Sequence, residues 1–156
     1  MNYAVVGFGT AGYHAVKAIR ACDKEGEIDV YSNTGRAPYN PMLTTYYAFG
    51  KLEFDGLFPF GDLDQIRKEI SFHLIQEPVI RVHAKEHLVE TKQQTKQYDR
   101  ILIATGARAF APPVKGLDPE DAFLMRTVED SIRFKERLKQ KNVRHAGVIG
   151  ASMSGI

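Results

Sequence analysis

The chain has 156 residues, 44% hydrophobic and 26% charged, with a net charge of +2. That length allows one domain with a real core and is too short for two ordinary ones, and the near-balanced charge gives no reason to expect a nucleic-acid or anionic-membrane partner. The single cysteine, Cys22, excludes an intrachain disulfide framework and a cysteine metal cluster, and no apolar run approaches the roughly 20 residues of a membrane span. The amino-terminal stretch carries three glycines in a turn pattern and no basic leader, so it does not read as a signal peptide. On these grounds the protein is expected to be cytoplasmic.

Tyr3 to Val6 is a short apolar run that breaks at Gly7-Phe8-Gly9-Thr10-Ala11-Gly12 and resumes as Ala15, Ala18, Ile19 and Cys22 at helical spacing. Strand, tight glycine turn and helix in that order are what a dinucleotide-binding unit needs. Gly7 permits the sharp turn, Gly9 lets the backbone approach a pyrophosphate, and Gly12 lets the helix sit close to the strand. The helix amino terminus then offers free N–H groups and a positive dipole end to phosphates. The bland alternative is a purely structural βα turn. Cys22, at a core-facing position by spacing, is expected to be packing.

Asp23 to Gly26 is a polar turn, and Glu27 to Tyr31 a short second strand. In a dinucleotide fold the residue just past this strand usually offers Asp or Glu to the adenosine ribose. Here Ser32-Asn33-Thr34-Gly35-Arg36 follows, with no acid. Ser32 or Asn33 could bond the ribose, Arg36 could mark a site for the 2′-phosphate of NADP, or all of these could be loop residues. From Ala37 to Phe60 the aromatics Tyr39, Tyr46, Tyr47, Phe49, Phe54, Phe58 and Phe60 stand among prolines. Their density suggests a lid or contact surface, and for any one of them core packing is an equal alternative. Leu63 to Ile70 reads as a helix capped by Asp62, and Ser71 to Ile75 as a third strand.

Glu77 to Asp99 reads as a β-meander with Val79, Val82, Leu88 and Val89 as apolar members and a turn within Thr91 to Gln97. The five histidines show no paired metal-ligand spacing on a helix, so no metal site is expected. Ile101 to Ala104 reads as a buried strand entering Thr105-Gly106, and Pro112-Pro113 blocks a helix soon after. Thr127 to Asp130 resembles a capping box opening a helix to about Gln140, and Ala146 to Ile149 reads as a further strand before Gly150-Ala151-Ser152-Met153-Ser154-Gly155.

Three motifs, VVGFGTAG (Val5 to Gly12), YDRILIATGARAFAPPVKG (Tyr98 to Gly116) and VIGASMSG (Val148 to Gly155), together resemble the pyridine nucleotide–disulfide oxidoreductase superfamily, flavoproteins with two dinucleotide-binding domains. Within it, Pro38-Tyr39-Asn40-Pro41-Met42-Leu43-Thr44 is similar to the flavin-side loop of the ferredoxin, rubredoxin and nitrite reductase-like branch. That loop usually carries an Arg before the proline and a Lys after the Leu-Ser pair, where Asn40 and Thr45 stand here. Ser152 stands where the third motif usually has its second glycine. Met42 lies where other branches place a redox cysteine, which argues against thiol chemistry.

The resemblance implies an α/β fold: a Rossmann-like FAD-binding domain with a parallel sheet and a β-meander insertion, truncated at the start of a second, NAD(P)-binding domain. The implied division is 1–116 for the incomplete FAD-binding domain, 117–145 for a connecting segment with a helix, and 146–156 for the first strand and turn of the second. It implies a parent FAD-dependent NAD(P)H oxidoreductase passing a hydride to FAD and electrons to an acceptor, a small molecule or a redox protein. The chain is then expected to be an amino-terminal fragment without turnover of its own. Implied cofactor-binding residues are Gly7, Gly9, Thr10, Ala11 and Gly12 at the pyrophosphate, Ser32 and Asn33 near the ribose, and Asn40 and Pro41 near the flavin. Val79 is placed at adenine, Ala104, Thr105 and Gly106 at the cofactor's inner edge, and Gly150, Ser152 and Gly155 at NAD(P)H. No catalytic acid–base residue is assigned, and a homodimer is compatible with the aromatic segment. The competing readings are an NADP-binding Rossmann domain without flavin and a non-catalytic binding module.

Overall fold

Alternation along two short strands decides the architecture. The computed structural model describes residues 1–118, 122–140 and 143–150. β1 (Asn2–Val6) and β2 (Glu27–Tyr31) pair in parallel, with β3 (His73–Ile75) outside β2 and β7 (Arg100–Ile103) on the far side of β1. Successive side chains on a strand face opposite ways. Val5, Ile28 and Val30 therefore point to one side, against Tyr13 and Val16 of α1 (Thr10–Cys22) and Ile66 of α3 (Leu63–Glu69). Ala4, Val6 and Tyr31 point to the other, against Val89 and Tyr98. Those two come from the antiparallel meander of β4 (Arg81–His83), β5 (Leu88–Glu90) and β6 (Thr95–Gln97), and from the segment after it. Val5, Val16, Val30 and Val89 have no exposed surface. Each contributes about 1.5–3 kcal/mol by leaving water. The result is helices, parallel sheet and meander in three layers, as the resemblance implied.

Local signals start two helices where they were expected to start. Asp62 accepts from the Gln65 N–H at 2.8 Å while the Gln65 side chain accepts from the Asp62 N–H at 3.0 Å, a reciprocal cap on α3. Thr127 and Asp130 do the same for α4 (Val128–Gln140), with the Asp130 carboxylate taking the Thr127 N–H at 2.8 Å. α2 (Thr44–Ala48) is a short helix within the aromatic segment. No helix among the described residues is long and apolar enough to cross a membrane.

Several expectations need correction. The buried stripe of α1 is Gly12, Tyr13 and Val16, with Ile19 half-buried, whereas Ala18 and Cys22 are exposed. Close approach at Gly12 fixes which face meets the sheet, and Cys22 follows Tyr13 by about two and a half turns, on the opposite side. β7 is less buried than its apolar sequence suggests, with Leu102 and Ile103 exposed at 42% and 62%. It is the outer strand of its sheet, with β1 as its one neighbour among the described residues. Residues 146–149 form no strand, and Val148 and Ile149 are exposed, because no strand lies beside them among the described residues. The aromatic segment divides. Phe60 stacks on Tyr13 with ring centres 4.4 Å apart, and Phe58 packs with Phe54 at 5.3 Å, so these belong to the core side. Met42, Tyr46 and Phe49 face outward.

Between the sheet and the meander lies a buried charge. Asp29, 2% exposed, accepts from Lys96 Nζ and from the Tyr98 hydroxyl, both at 2.7 Å, with His73 Nδ1 3.3 Å away. The Tyr98 proton is spent on Asp29, so in the 2.6 Å contact between the two phenols Tyr31 is the donor. Burial pushes the Asp29 carboxyl up, but hydrogen bonds from Lys96 and Tyr98 and the Lys96 charge outweigh it and hold the carboxyl below the usual range. A carboxyl lowered on folding stabilises the native state above its unfolded pKa and loses that stabilisation as pH falls through its folded one. Asp29→Asn is expected to cost about 1–3 kcal/mol at neutral pH and to flatten the loss of stability below about pH 4. Urea midpoints measured across that range check it, and parallel acid limbs for variant and parent would contradict it.

Candidate dinucleotide site at the carboxyl ends of the strands

Ligands of open α/β sheets bind outside the carboxyl ends of the strands, where the strand order reverses. Here the chain runs outward from β1 to β2 and β3, then returns to add β7 beside β1. The reversal therefore falls between β1 and β7, and Gly7 lies there. Its N–H donates to Tyr31 O at the end of β2 at 2.8 Å, and the neighbouring Ala104 N–H donates to Val6 O at 2.7 Å. Gly7 has φ +105°, and a Cβ built on it would lie 2.4 Å from Ala104 O. A Cβ on Gly12 would lie 2.1 Å from Gly7 O. The start of α1, the end of β1 and the end of β7 thus meet with no room for a side chain at either glycine.

Gly9 is the opposite case. It is the N-cap of α1, with φ −83° and ψ −167°, a backbone any residue adopts, and a Cβ there would meet nothing within 4 Å. The cap has no side-chain hydrogen bond and the first turn has no acidic residue. Thr10 and Ala11 are exposed, so the first-turn N–H groups present their positive ends to open space. Such a helix start can hold an anion, and a pyrophosphate fits its charge and its clearance.

The other anticipated residues distribute as follows. Ala104, Thr105 and Gly106 adjoin Gly7 at the end of β7, and Gly106 takes φ +69°. Ser32 is buried, its N–H donating to Ile75 O at 3.0 Å and its Oγ lying 3.4 Å from Thr34 Oγ1, whereas Asn33 is exposed. Asn40 and Pro41 open a 3-10 turn in a separate segment, where Asn40 Oδ1 accepts the Met42 N–H at 3.0 Å. Val79 is half-buried against the meander-side core. Gly150 has φ +109° and open surroundings, while Ser152 and Gly155 lie outside the described residues. Arg36 Nε is paired with Glu129 Oε1 of α4 at 2.5 Å, which commits the charge that would have met a 2′-phosphate.

Glu77, two residues past β3, has an Oε2 that is enclosed and meets no hydrogen-bond donor among the described residues. Burial, and after it the nearby charges of Asp29 and Glu77, push the Tyr31 hydroxyl up against the opposing hydrogen bond with Tyr98. Among the described residues no cluster of three or more His, Cys, Asp or Glu could hold a metal.

A family model described as pyridine nucleotide-disulphide oxidoreductase matches residues 1–156. Over 156 residues the chain is 27% identical to the NADH-dependent phenylglyoxylate dehydrogenase subunit epsilon of Aromatoleum evansii, covering 99% of this chain and 36% of that protein. It is also 27% identical to an NADH oxidase of Methanocaldococcus jannaschii, covering 100% and 36%. Among solved structures, an NAD-dependent persulfide reductase from A. fulgidus superposes with a TM-score of 0.82 at 25% identity, over 90% of this chain and 27% of that one. The chain spans about a third of the length of these two curated relatives.

Proposed function

The chain belongs to the pyridine nucleotide-disulphide oxidoreductase family, and from that membership we propose that it is the FAD-holding part of an NAD(P)H-dependent oxidoreductase. The observation that carries this reading is the uncapped helix start at Gly9, placed at the strand-order reversal by Gly7 and Gly12. FAD, when bound, supplies the hydride chemistry that links NAD(P)H to an electron acceptor. The chain's own residues supply position and charge. Gly9 to Gly12 offer N–H groups to the pyrophosphate, Gly7 sets the turn, Ala104 to Gly106 form the adjacent wall, and Ser32 and Asn33 stand at the ribose end. Asn40, Pro41 and Val79 are assigned to the flavin side and adenine on the resemblance. Gly150, Ser152 and Gly155 are assigned to NAD(P)H on the same ground. The division into 1–116, 117–145 and 146–156, a cytoplasmic setting and a homodimer through the outward aromatics belong to the same proposal. Names among the relatives, NADH oxidase and a dehydrogenase subunit, support the reductant and leave the acceptor unspecified.

An NADP-binding domain without flavin is the weaker reading, since Arg36 is engaged by Glu129. Titrating the protein with FAD and with FMN, and following the quenching of flavin fluorescence, tests the choice. FAD is expected to bind at least tenfold more tightly, because FMN lacks the second phosphate and the adenosine. Equal affinities would overturn the proposed site.

A further inference from the structure

The meander is held on the parallel sheet by few contacts. It forms an antiparallel sheet of its own, with no ladder to the parallel one among the described residues. The side chains buried within residues 79–97 are Val89 and Thr91. Thr91 Oγ1 is spent inside its own turn, accepting from the Gln93 and Gln94 N–H groups and donating to Gln94 O. Val89 therefore carries the apolar contact, with Val79 and Val82 half-buried beside it. The polar hold is Asp29 of β2, 2% exposed, reached by Lys96 of β6 and by Tyr98 just after it, both at 2.7 Å. Both ends of the segment are fixed to the sheet. Before it, Ile75 O accepts the Ser32 N–H at 3.0 Å, and after it Asp99 exchanges two hydrogen bonds with Asn2, at 2.7 and 2.9 Å. Segments with few buried apolar contacts are the ones that open below the free energy of global unfolding. Tyr31 connects this segment to the glycine turn. Its hydroxyl meets the Tyr98 hydroxyl at 2.6 Å, and its main-chain oxygen accepts the Gly7 N–H at 2.8 Å.

We propose that residues 79–98 form a flap that lifts off the sheet as a unit, latched by Lys96 and Tyr98 on Asp29, and that its closure is linked through Tyr31 to occupation of the glycine turn by a dinucleotide. The flap and its latch follow from the packing, and the linkage rests on the dinucleotide reading above. A closed flap that favours binding is itself favoured by the bound dinucleotide, by the same factor.

Amide hydrogen exchange followed by NMR on the whole chain separates flap opening from global unfolding. The Ile80 and Tyr98 amides, which donate to Glu90 O and His87 O inside the meander, are expected to be less protected than those of β1 by about tenfold or more. Val16→Ala opens a cavity at a fully buried position on the helix side of the sheet. It should speed exchange in β1 and leave the flap amides unchanged. Lys96→Met leaves the Asp29 charge buried with one donor fewer and should speed flap exchange by about tenfold or more. Tyr98→Phe, the milder change, should speed it about fivefold. Saturating FAD should slow flap exchange by about tenfold or more. Flap amides that respond to Val16→Ala as β1 does would open only with the whole domain and would overturn the flap. Flap rates unmoved by Lys96→Met and by Tyr98→Phe would overturn the latch. FAD that shifts the Gly9 to Gly12 amides and leaves flap rates unchanged would overturn the linkage and leave the dinucleotide site standing. Failure of FAD to bind would overturn the dinucleotide reading and the linkage with it.

Discussion

Gly9→Asp is expected to stabilise the protein without ligand and to weaken dinucleotide binding sharply. The position already has the extended backbone of an N-cap, and a side chain there meets nothing within 4 Å. An aspartate would cap the first-turn N–H groups and place a negative charge on the positive end of α1. Together these are worth about 0.5–1 kcal/mol over glycine, or roughly 1–4 °C in thermal midpoint. The same carboxylate would occupy the space and satisfy the donors that a pyrophosphate needs, and would repel it. A loss of roughly 100-fold in FAD or ADP affinity, about 2.7 kcal/mol, is expected. Thermal unfolding and calorimetric titration of one preparation check both halves. The opposite signs distinguish this from damage to the fold, since a structural glycine would lose stability and binding together.

Gly7→Ala gives the other extreme. The methyl would require a non-glycine residue at φ +105° and would come within 2.4 Å of a backbone oxygen, Ala104 O, that no rotamer change can move aside. Backbone strain and overpacking each cost about 1–3 kcal/mol, so a combined loss of about 3–5 kcal/mol is expected. That is a large share of the roughly 5–15 kcal/mol that holds a domain folded. The urea midpoint of the variant should fall accordingly, with FAD binding lost alongside. A variant that unfolds with the parent would show that the turn opens freely, and would remove the geometric basis for placing a ligand there.

What was legible in the sequence was carried by short-range signals. The glycine turn, the α3 cap at Asp62, the α4 start at Thr127 and the polar turn inside the meander each depend on residues a few positions apart. The β1 and β2 alternation was equally plain. What was not legible depends on the chain meeting itself. Asp29 reads as an ordinary strand residue because its partners Lys96 and Tyr98 lie 67 and 69 positions away. The exposure of Leu102 and Ile103 follows from β7 being an outer strand, which no local apolar run reveals. Cys22 was placed in the core by spacing alone, when the close approach of Gly12 decides which face is buried.

The central claim is that the Gly7–Gly12 turn receives the dinucleotide's phosphates. Backbone amide resonances followed by NMR during titration with FAD test it at the atoms concerned. The amides of Gly9, Thr10, Ala11 and Gly12 are predicted to shift most, with Thr105 and Gly106 following as the adjacent wall. A titration in which those amides stay in place, whether FAD binds elsewhere or not at all, would contradict it.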